Sequence, residues 1–247
     1  MAALELLRTE KLCRQYGGLM AVDQVDFRLQ QGQIRAIIGP NGAGKTTLVS
    51  LICGRTPASS GRIFFKGQDI SSSSPARRVQ AGIVYTFQVT SIFSKLSCYE
   101  NVALAAQRFL KDRPDAQGSV REQDIASRVA VCLKEVGLAG VEEQEAGTLP
   151  YGHQKLLEVA MSLATGPELL ILDEPTQGLA ESEIQNLMEL IRTISQSATV
   201  LLIEHNMPFV LNLAEQITVM THGSILAEGT PEEIANHRDV QVAYLGT

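Results

Sequence analysis

Short apolar runs bounded by turns open the chain. Leu4 to Leu7, Val25 to Leu29 and Ile34 to Ile38 each have strand length and β-forming content, and Gly39 closes the third. The stretch from Lys45 to Cys53 carries a helix-forming pattern. Gly61 to Lys66 reads as a further strand, because Arg62-Ile63-Phe64-Phe65 follows a Ser-Ser-Gly turn. From about Val89 to Leu163 the period changes, and helices are predicted over Tyr99 to Phe109, Arg121 to Val136 and Gln154 to Leu163. A polar loop, Lys111 to Gly118, separates the first two. Strands return at Leu169 to Leu172 and Thr199 to Ile203. Between them lies an amphipathic helix from about Glu181 to Ser195, with Ile184, Leu187, Leu190 and Ile191 at helical spacing. The pattern predicts a single α/β unit: residues 1–88 and 166–247 form a core lobe, and residues 89–165 form an inserted helical lobe.

Composition narrows the class without changing this picture. The chain has 247 residues, 45% of them hydrophobic and 19% charged, which is ordinary globular content with enough length for one large core. The longest apolar runs, such as Leu169 to Leu172 and Val200 to Ile203, are far shorter than the roughly 18 to 20 residues of a membrane-spanning helix. Met1 to Lys11 lacks the basic segment, apolar core and cleavage site of a secretory signal, so the chain is expected to stay in the cytoplasm. Cys13, Cys53, Cys98 and Cys132 show no paired spacing and read as buried thiols. A net charge of −6 argues against a nucleic-acid partner held by counterion release. No tandem repeat is evident, and Ser71 to Ser74 reads as a loop.

One segment carries specific chemistry. Gly39-Pro40-Asn41-Gly42-Ala43-Gly44-Lys45-Thr46 fits G-x-x-x-x-G-K-[ST] and lies between a predicted strand and a predicted helix. Glycines let the backbone wrap around phosphate oxygens, and successive N–H groups at a helix N-terminus supply positive potential. Lys45 is then expected on the β and γ phosphates of ATP, Thr46 on Mg²⁺, and Thr47 in the nucleotide-contacting set. A Gly-rich turn with a solvated lysine is the plain alternative, and the flanking strand and helix weigh against it.

A second segment, Leu169-Leu170-Ile171-Leu172-Asp173-Glu174, delivers two carboxylates to the end of a buried strand, where ligands of open α/β folds gather. Asp173 is expected on the Mg²⁺ or its water, and Glu174 as the group that polarises the water attacking the γ-phosphate. His205, after the strand ending at Ile203, is a candidate sensor of that phosphate. Gln88, where core gives way to helical lobe, can join metal and attacking water to a hinge.

In this order the motifs resemble those of the ABC transporter ATPase family over nearly the whole chain. The resemblance assigns Gly39 to Thr46 to the Walker A loop, Gln88 to the Q-loop, Leu149 to His153 to the signature motif and Asp173-Glu174 to the end of Walker B. It further assigns Gln177 to Ala180 to the D-loop, His205 to the switch histidine and Tyr16 to the aromatic that stacks on adenine. It implies a P-loop NTPase fold of ABC type, a mixed sheet joined to a RecA-like parallel sheet, with an inserted helical lobe. Two such subunits, a copy or a paralogue, would pack head to tail. Gly152 of one would then complete the ATP site of the other, and hydrolysis would drive separate transmembrane permease subunits from the cytoplasmic face of the inner membrane. Narrower features, Tyr16-Gly17-Gly18-Leu19-Met20-Ala21-Val22-Asp23, Thr86-Phe87-Gln88, Ile203-Glu204-His205-Asn206-Met207 and Ala243-Tyr244-Leu245-Gly246, resemble the branch that takes up branched-chain amino acids or urea. An extracytoplasmic solute-binding protein is an indirect partner in that branch.

Against the general family pattern, Pro150 stands for the signature serine, Tyr151 for its first glycine, His153 for its glutamine and Ala180 for the D-loop acid or asparagine. Pro150 offers neither a hydroxyl nor an N–H, yet can start a helix whose following N–H groups, beginning near Gly152, face an anion. Three alternatives have different signatures: a lipopolysaccharide-export ATPase shares a similar ending, a soluble ABC-type ATPase of DNA repair or translation carries long insertions or basic extensions, and a regulatory subunit holds ATP without hydrolysing it. The segment from Val89 to Ser97, with Ile92, Phe93 and Leu96, is expected to help form a groove for a permease helix.

Overall fold

In the computed structural model, which describes residues 4–86, 91–111 and 121–245, the chain opens on a long antiparallel strand. This strand, β1 (Glu5–Tyr16), pairs with β2 (Leu19–Val25) along its outer half and with β3 (Arg28–Gln30) along its inner half. The sequence predicts one strand from Val25 to Leu29, and the structure breaks it. The hydroxyl of Thr9, buried in β1, donates to the Val25 carbonyl at 2.8 Å and accepts from the Phe27 N–H at 2.9 Å. Two backbone groups that a continuous ladder would use are therefore satisfied by a side chain, and the edge strand changes register there. On its other edge β1 pairs with β5 (Ser60–Phe65).

β4 (Ile34–Ile38) enters the second sheet and leads through the glycine loop into α1 (Lys45–Ile52). β5 (Ser60–Phe65) and β6 (Gln68–Asp69) finish the first sheet, and α2 (Pro75–Gln80) leads to β7 (Ile83–Thr86). Three helices follow: α3 (Cys98–Lys111), α4 (Glu122–Glu135) and α5 (Tyr151–Ala164). The remaining elements are β8 (Leu169–Asp173), α6 (Glu181–Ile194), β9 (Thr199–Ile203), α7 (Met207–Leu213), β10 (Gln216–Thr221), β11 (Ser224–Gly229), α8 (Pro231–Ala235) and α9 (Arg238–Leu245). The second sheet has the order β11-β10-β4-β9-β8-β7, parallel throughout except for β11.

The parallel strands are apolar at nearly every position because both faces of their sheet are covered. Alternate residues serve opposite cores. Ala36, Leu170, Leu172, Val200 and Leu202 face the cluster shared with α3 to α7, whereas Ile37, Ile171, Leu201 and Ile203 face the cluster shared with α1 and the first sheet. Helices α3, α4 and α5 pack on one another and join the first of these clusters. α5 starts at Tyr151, three residues before the helix read from the sequence, because Pro150 takes the cap position and its carbonyl accepts from the Gln154 N–H at 3.0 Å.

Candidate functional site

β4 ends at Ile38, and the chain wraps through a loop before α1. Gly39, Gly42 and Gly44 all have positive φ, at 152°, 80° and 101°. At two of them a side chain would also collide with backbone: a Cβ on Gly39 would lie 2.2 Å from the Met220 carbonyl oxygen, and one on Gly44 2.3 Å from that of Ala21. The loop is thus closed tightly by β10 on one side and β2 on the other. Ala43 is buried and accepts the Gly223 N–H at 3.0 Å, while Asn41, Gly42 and Thr46 are exposed. The first turn of α1, Lys45 to Thr47, therefore opens outward from a fixed rim, with the unpaired N–H groups of a helix start.

The Lys45 ammonium folds over this loop, donating to the carbonyls of Gly39 at 2.7 Å and Pro40 at 3.1 Å. These bonds use two of its three donors. Burial lowers the Lys45 pKa, and the carboxylates of Glu174 and Asp173 oppose that shift. The glycine loop and the acid pair thus lie within electrostatic reach of one another.

Asp173, buried at the end of β8, accepts a hydrogen bond of 2.6 Å from the Tyr85 hydroxyl on the neighbouring strand β7. Burial raises its pKa; the Tyr85 bond and the nearby Lys45 and Arg55 pull it down, and Glu174 pushes it up. Burial and the bond to Asp173 together raise the Tyr85 pKa well above its usual value. Thr46 and Asp173 supply oxygen donors of the kind Mg²⁺ takes in small number alongside phosphates, so the residues present fit that ion.

Glu174 has a left-handed backbone, φ 49°, which costs about 1–3 kcal/mol for a residue with a side chain. Its N–H donates to the Ile203 carbonyl at 2.8 Å, which locks it to the end of β9. His205 Nδ1 lies 3.9 Å from Glu174 Oε1, beyond direct hydrogen-bond distance, and the imidazole is exposed. Glu204, fully buried, stitches these two segments together. One carboxylate oxygen accepts from the Thr176 N–H and hydroxyl at 2.9 and 2.6 Å, and the other from the N–H groups of His205 and Asn206 at 2.9 and 3.1 Å. Neither Tyr85 nor Glu204 stands out in the sequence as a site residue. A charged residue directly after an all-buried strand was the signal for Glu204.

Tyr16 closes the turn between β1 and β2, where it pairs with Leu19, and is 44% exposed. The Arg14 guanidinium covers one face of its ring at 4.4 Å from the centroid, and is itself held by the Pro57 carbonyl at 2.9 Å. Gly152 is buried in the first turn of α5, packed on α6; a Cβ there would meet Glu183 Oε1 at 2.2 Å. His153 is exposed, and Ala180 is the N-cap of α6. An alanine has no capping acceptor, but Glu183 Oε2 accepts the Ala180 N–H at 2.7 Å. Gln88 lies outside the described residues.

Comparison with known proteins agrees with this geometry. The family model described as ABC transporter matches residues 22–177, and that described as Branched-chain amino acid ATP-binding cassette transporter matches residues 224–247. The chain is 37% identical to the high-affinity branched-chain amino acid transport ATP-binding protein BraF of Pseudomonas aeruginosa, over 98% of both chains. It is 36% identical to LivG of Escherichia coli, again over 98% of both. Among solved structures, the ADP conformation of the ATP-binding cassette MJ1267 superposes with a TM-score of 0.87 at 29% identity, over 99% of this chain and all of that one. The chain belongs to the ABC transporter family, as an ATPase subunit with the α/β cassette fold. No helix among the described residues is long and apolar enough to cross a membrane.

Proposed function

We propose that this subunit powers uptake of branched-chain amino acids or a similar small solute from the cytoplasmic face of the membrane, in company with permease subunits, a second ATPase subunit and, indirectly, a solute-binding protein. The observation that carries the solute class is the match of residues 224–247 to the branched-chain family model, which the names of the full-length relatives support. Residues 1–88 and 166–247 act as the core lobe and 89–165 as the inserted helical lobe.

In this reading the loop from Gly39 to Thr46, with Thr47, holds the ATP phosphates through backbone N–H groups, and Lys45 offsets their charge. Thr46, Asp173 and Gln88 hold Mg²⁺, which when bound neutralises charge developing on the phosphates. Glu174 polarises the attacking water, and His205, 3.9 Å from it, holds the γ-phosphate side of the site. Tyr16, backed by Arg14, stacks on adenine. Gly152 and the N–H groups after Pro150 face the nucleotide of the second subunit. A lipopolysaccharide-export role would share all of this chemistry; the cargo measurement below separates the two.

In this reading the permease contact centres on Phe93. Of the segment from Val89 to Ser97, Val89 and Thr90 lie outside the described residues, Ile92 packs on the core and Leu96 is half-buried, while Phe93 is 54% exposed. The Phe93 backbone is held on α3 by the Asn101 side chain, with bonds of 2.8 and 3.1 Å, so its ring projects from a fixed point. Phe93→Asp should abolish co-purification with the permease while ATP binding by the isolated subunit is retained. Association that survives with the helices folded would put the groove elsewhere.

A further inference from the structure

Lys155 connects the start of α5 to the segment that carries Glu174. Its ammonium donates to three backbone carbonyls: Gln177 at 2.7 Å, Glu174 at 3.3 Å and Pro175 at 3.5 Å. Three donors on one ammonium match three acceptors on a single turn of backbone. The Glu174 carbonyl also accepts the Gln177 N–H at 3.1 Å, so the turn is closed from within and clamped from outside. Two further contacts tie the start of α5 to Gly178 and to α6, which follow this turn. The Tyr151 ring fills the space beside Gly178, where a Cβ would come within 2.9 Å of it, and Glu183 fills the space beside Gly152. The Lys155 ammonium also lies 5.4 Å from the Tyr151 ring centroid.

A left-handed glutamate persists only where its surroundings over-determine it. From one side Glu174 is held by β9 through the Ile203 carbonyl. From the other, the cation that reaches its carbonyl is Lys155, which comes from the helix that starts at the altered signature segment. We infer that Lys155 is a positioning residue for the hydrolytic reaction: its clasp fixes the Glu174 peptide, and with it the carboxylate, and ties that geometry to the start of α5. The inference rests on the reading of Glu174 given above.

The test is hydrolysis by the assembled transporter carrying Lys155→Met, Lys155→Arg, Glu174→Gln and the Lys155→Met/Glu174→Gln pair. Lys155→Met should lower kcat roughly 10- to 100-fold, the scale of a misplaced catalytic group, with KM for ATP unchanged. Lys155→Arg, which keeps donors for the carbonyls, should restore most of the rate. In single-turnover measurements the pair should be no slower than Glu174→Gln alone, because a residue acting through Glu174 has nothing left to position. Parental kcat in Lys155→Met, an arginine variant as slow as methionine, or a pair clearly slower than Glu174→Gln would each overturn the inference. If Lys155→Met does not fold by circular dichroism, Lys155→Gln takes its place under the same criteria. Full hydrolysis in Glu174→Gln would sink the reading of the site itself. An inactive Glu174→Gln beside a fully active Lys155→Met would sink the clasp alone.

Discussion

Glu174→Gln should leave ATP binding largely intact while hydrolysis by the assembled transporter falls about 10²- to 10⁴-fold, the contribution of one well-placed general base. Glutamine preserves the shape and the backbone bonds that hold residue 174, including the N–H bond to Ile203 and the carbonyl bonds to Gln177 and Lys155. It removes only the negative charge that orients and polarises water. Bound ATP would then persist, and the two ATPase subunits should accumulate in a closed pair that elutes earlier on gel filtration with ATP than without it. Phosphate release at a rate near that of the parent protein would contradict the role given to Glu174.

The second large effect is expected at the phosphate loop. Lys45→Ala removes the cation that lies over the Gly39 and Pro40 carbonyls and faces the Asp173 and Glu174 carboxylates. A charge-assisted hydrogen bond contributes about 1.5–3 kcal/mol, so ATP affinity should drop roughly 10- to 150-fold by calorimetry. The loop itself should hold, because the contacts of Gly39 with Met220 and of Gly44 with Ala21 do not involve the lysine. Unchanged affinity in a folded variant would show that Lys45 is not the phosphate lysine.

Much of this architecture was legible because the parallel strands advertise themselves. β4, β8 and β9 are buried at every position, and α6 buries one stripe made of Leu187, Met188, Leu190, Ile191 and Ile194. The glycine loop was legible for a different reason: its glycines and lysine fall at fixed offsets between a strand and a helix. Four helices, α2, α7, α8 and α9, do not stand out in the sequence pattern, and the first three share a local signal. α2, α7 and α8 each open with a polar cap whose side chain accepts a backbone N–H, from Ser74, Asn206 and Thr230, and each has a proline in its first turn. Ser74 closes the serine run that reads as a loop, so its cap was hidden by its neighbours. The hairpin of β10 and β11 turns on His222 and Gly223, both at positive φ, a two-residue turn after the strand Gln216–Thr221.

What could not be read locally is contact between distant residues. The break between β2 and β3 is made by Thr9, sixteen residues from Val25. Nothing next to Lys155 in the chain marks it; the fold brings Glu174, nineteen residues on, beneath its ammonium. The four donors around Glu204 come from segments that only the fold brings together. The candidate site thus divides: the groups at the ends of strands and at the helix start were visible in the chain, and the groups that hold them in place were not.

The central claim, that ATP hydrolysis by this subunit drives uptake of a small solute of the branched-chain amino-acid class or one similar to it, is tested most directly in proteoliposomes containing the subunit with its co-purifying permease and solute-binding protein. Labelled leucine should accumulate only with enclosed ATP, and accumulation should vanish when the subunit carries Glu174→Gln. Leucine accumulation that proceeds unchanged with Glu174→Gln would contradict the account, and ATP hydrolysis by the parent assembly that moves no leucine, isoleucine or valine would contradict the branched-chain cargo.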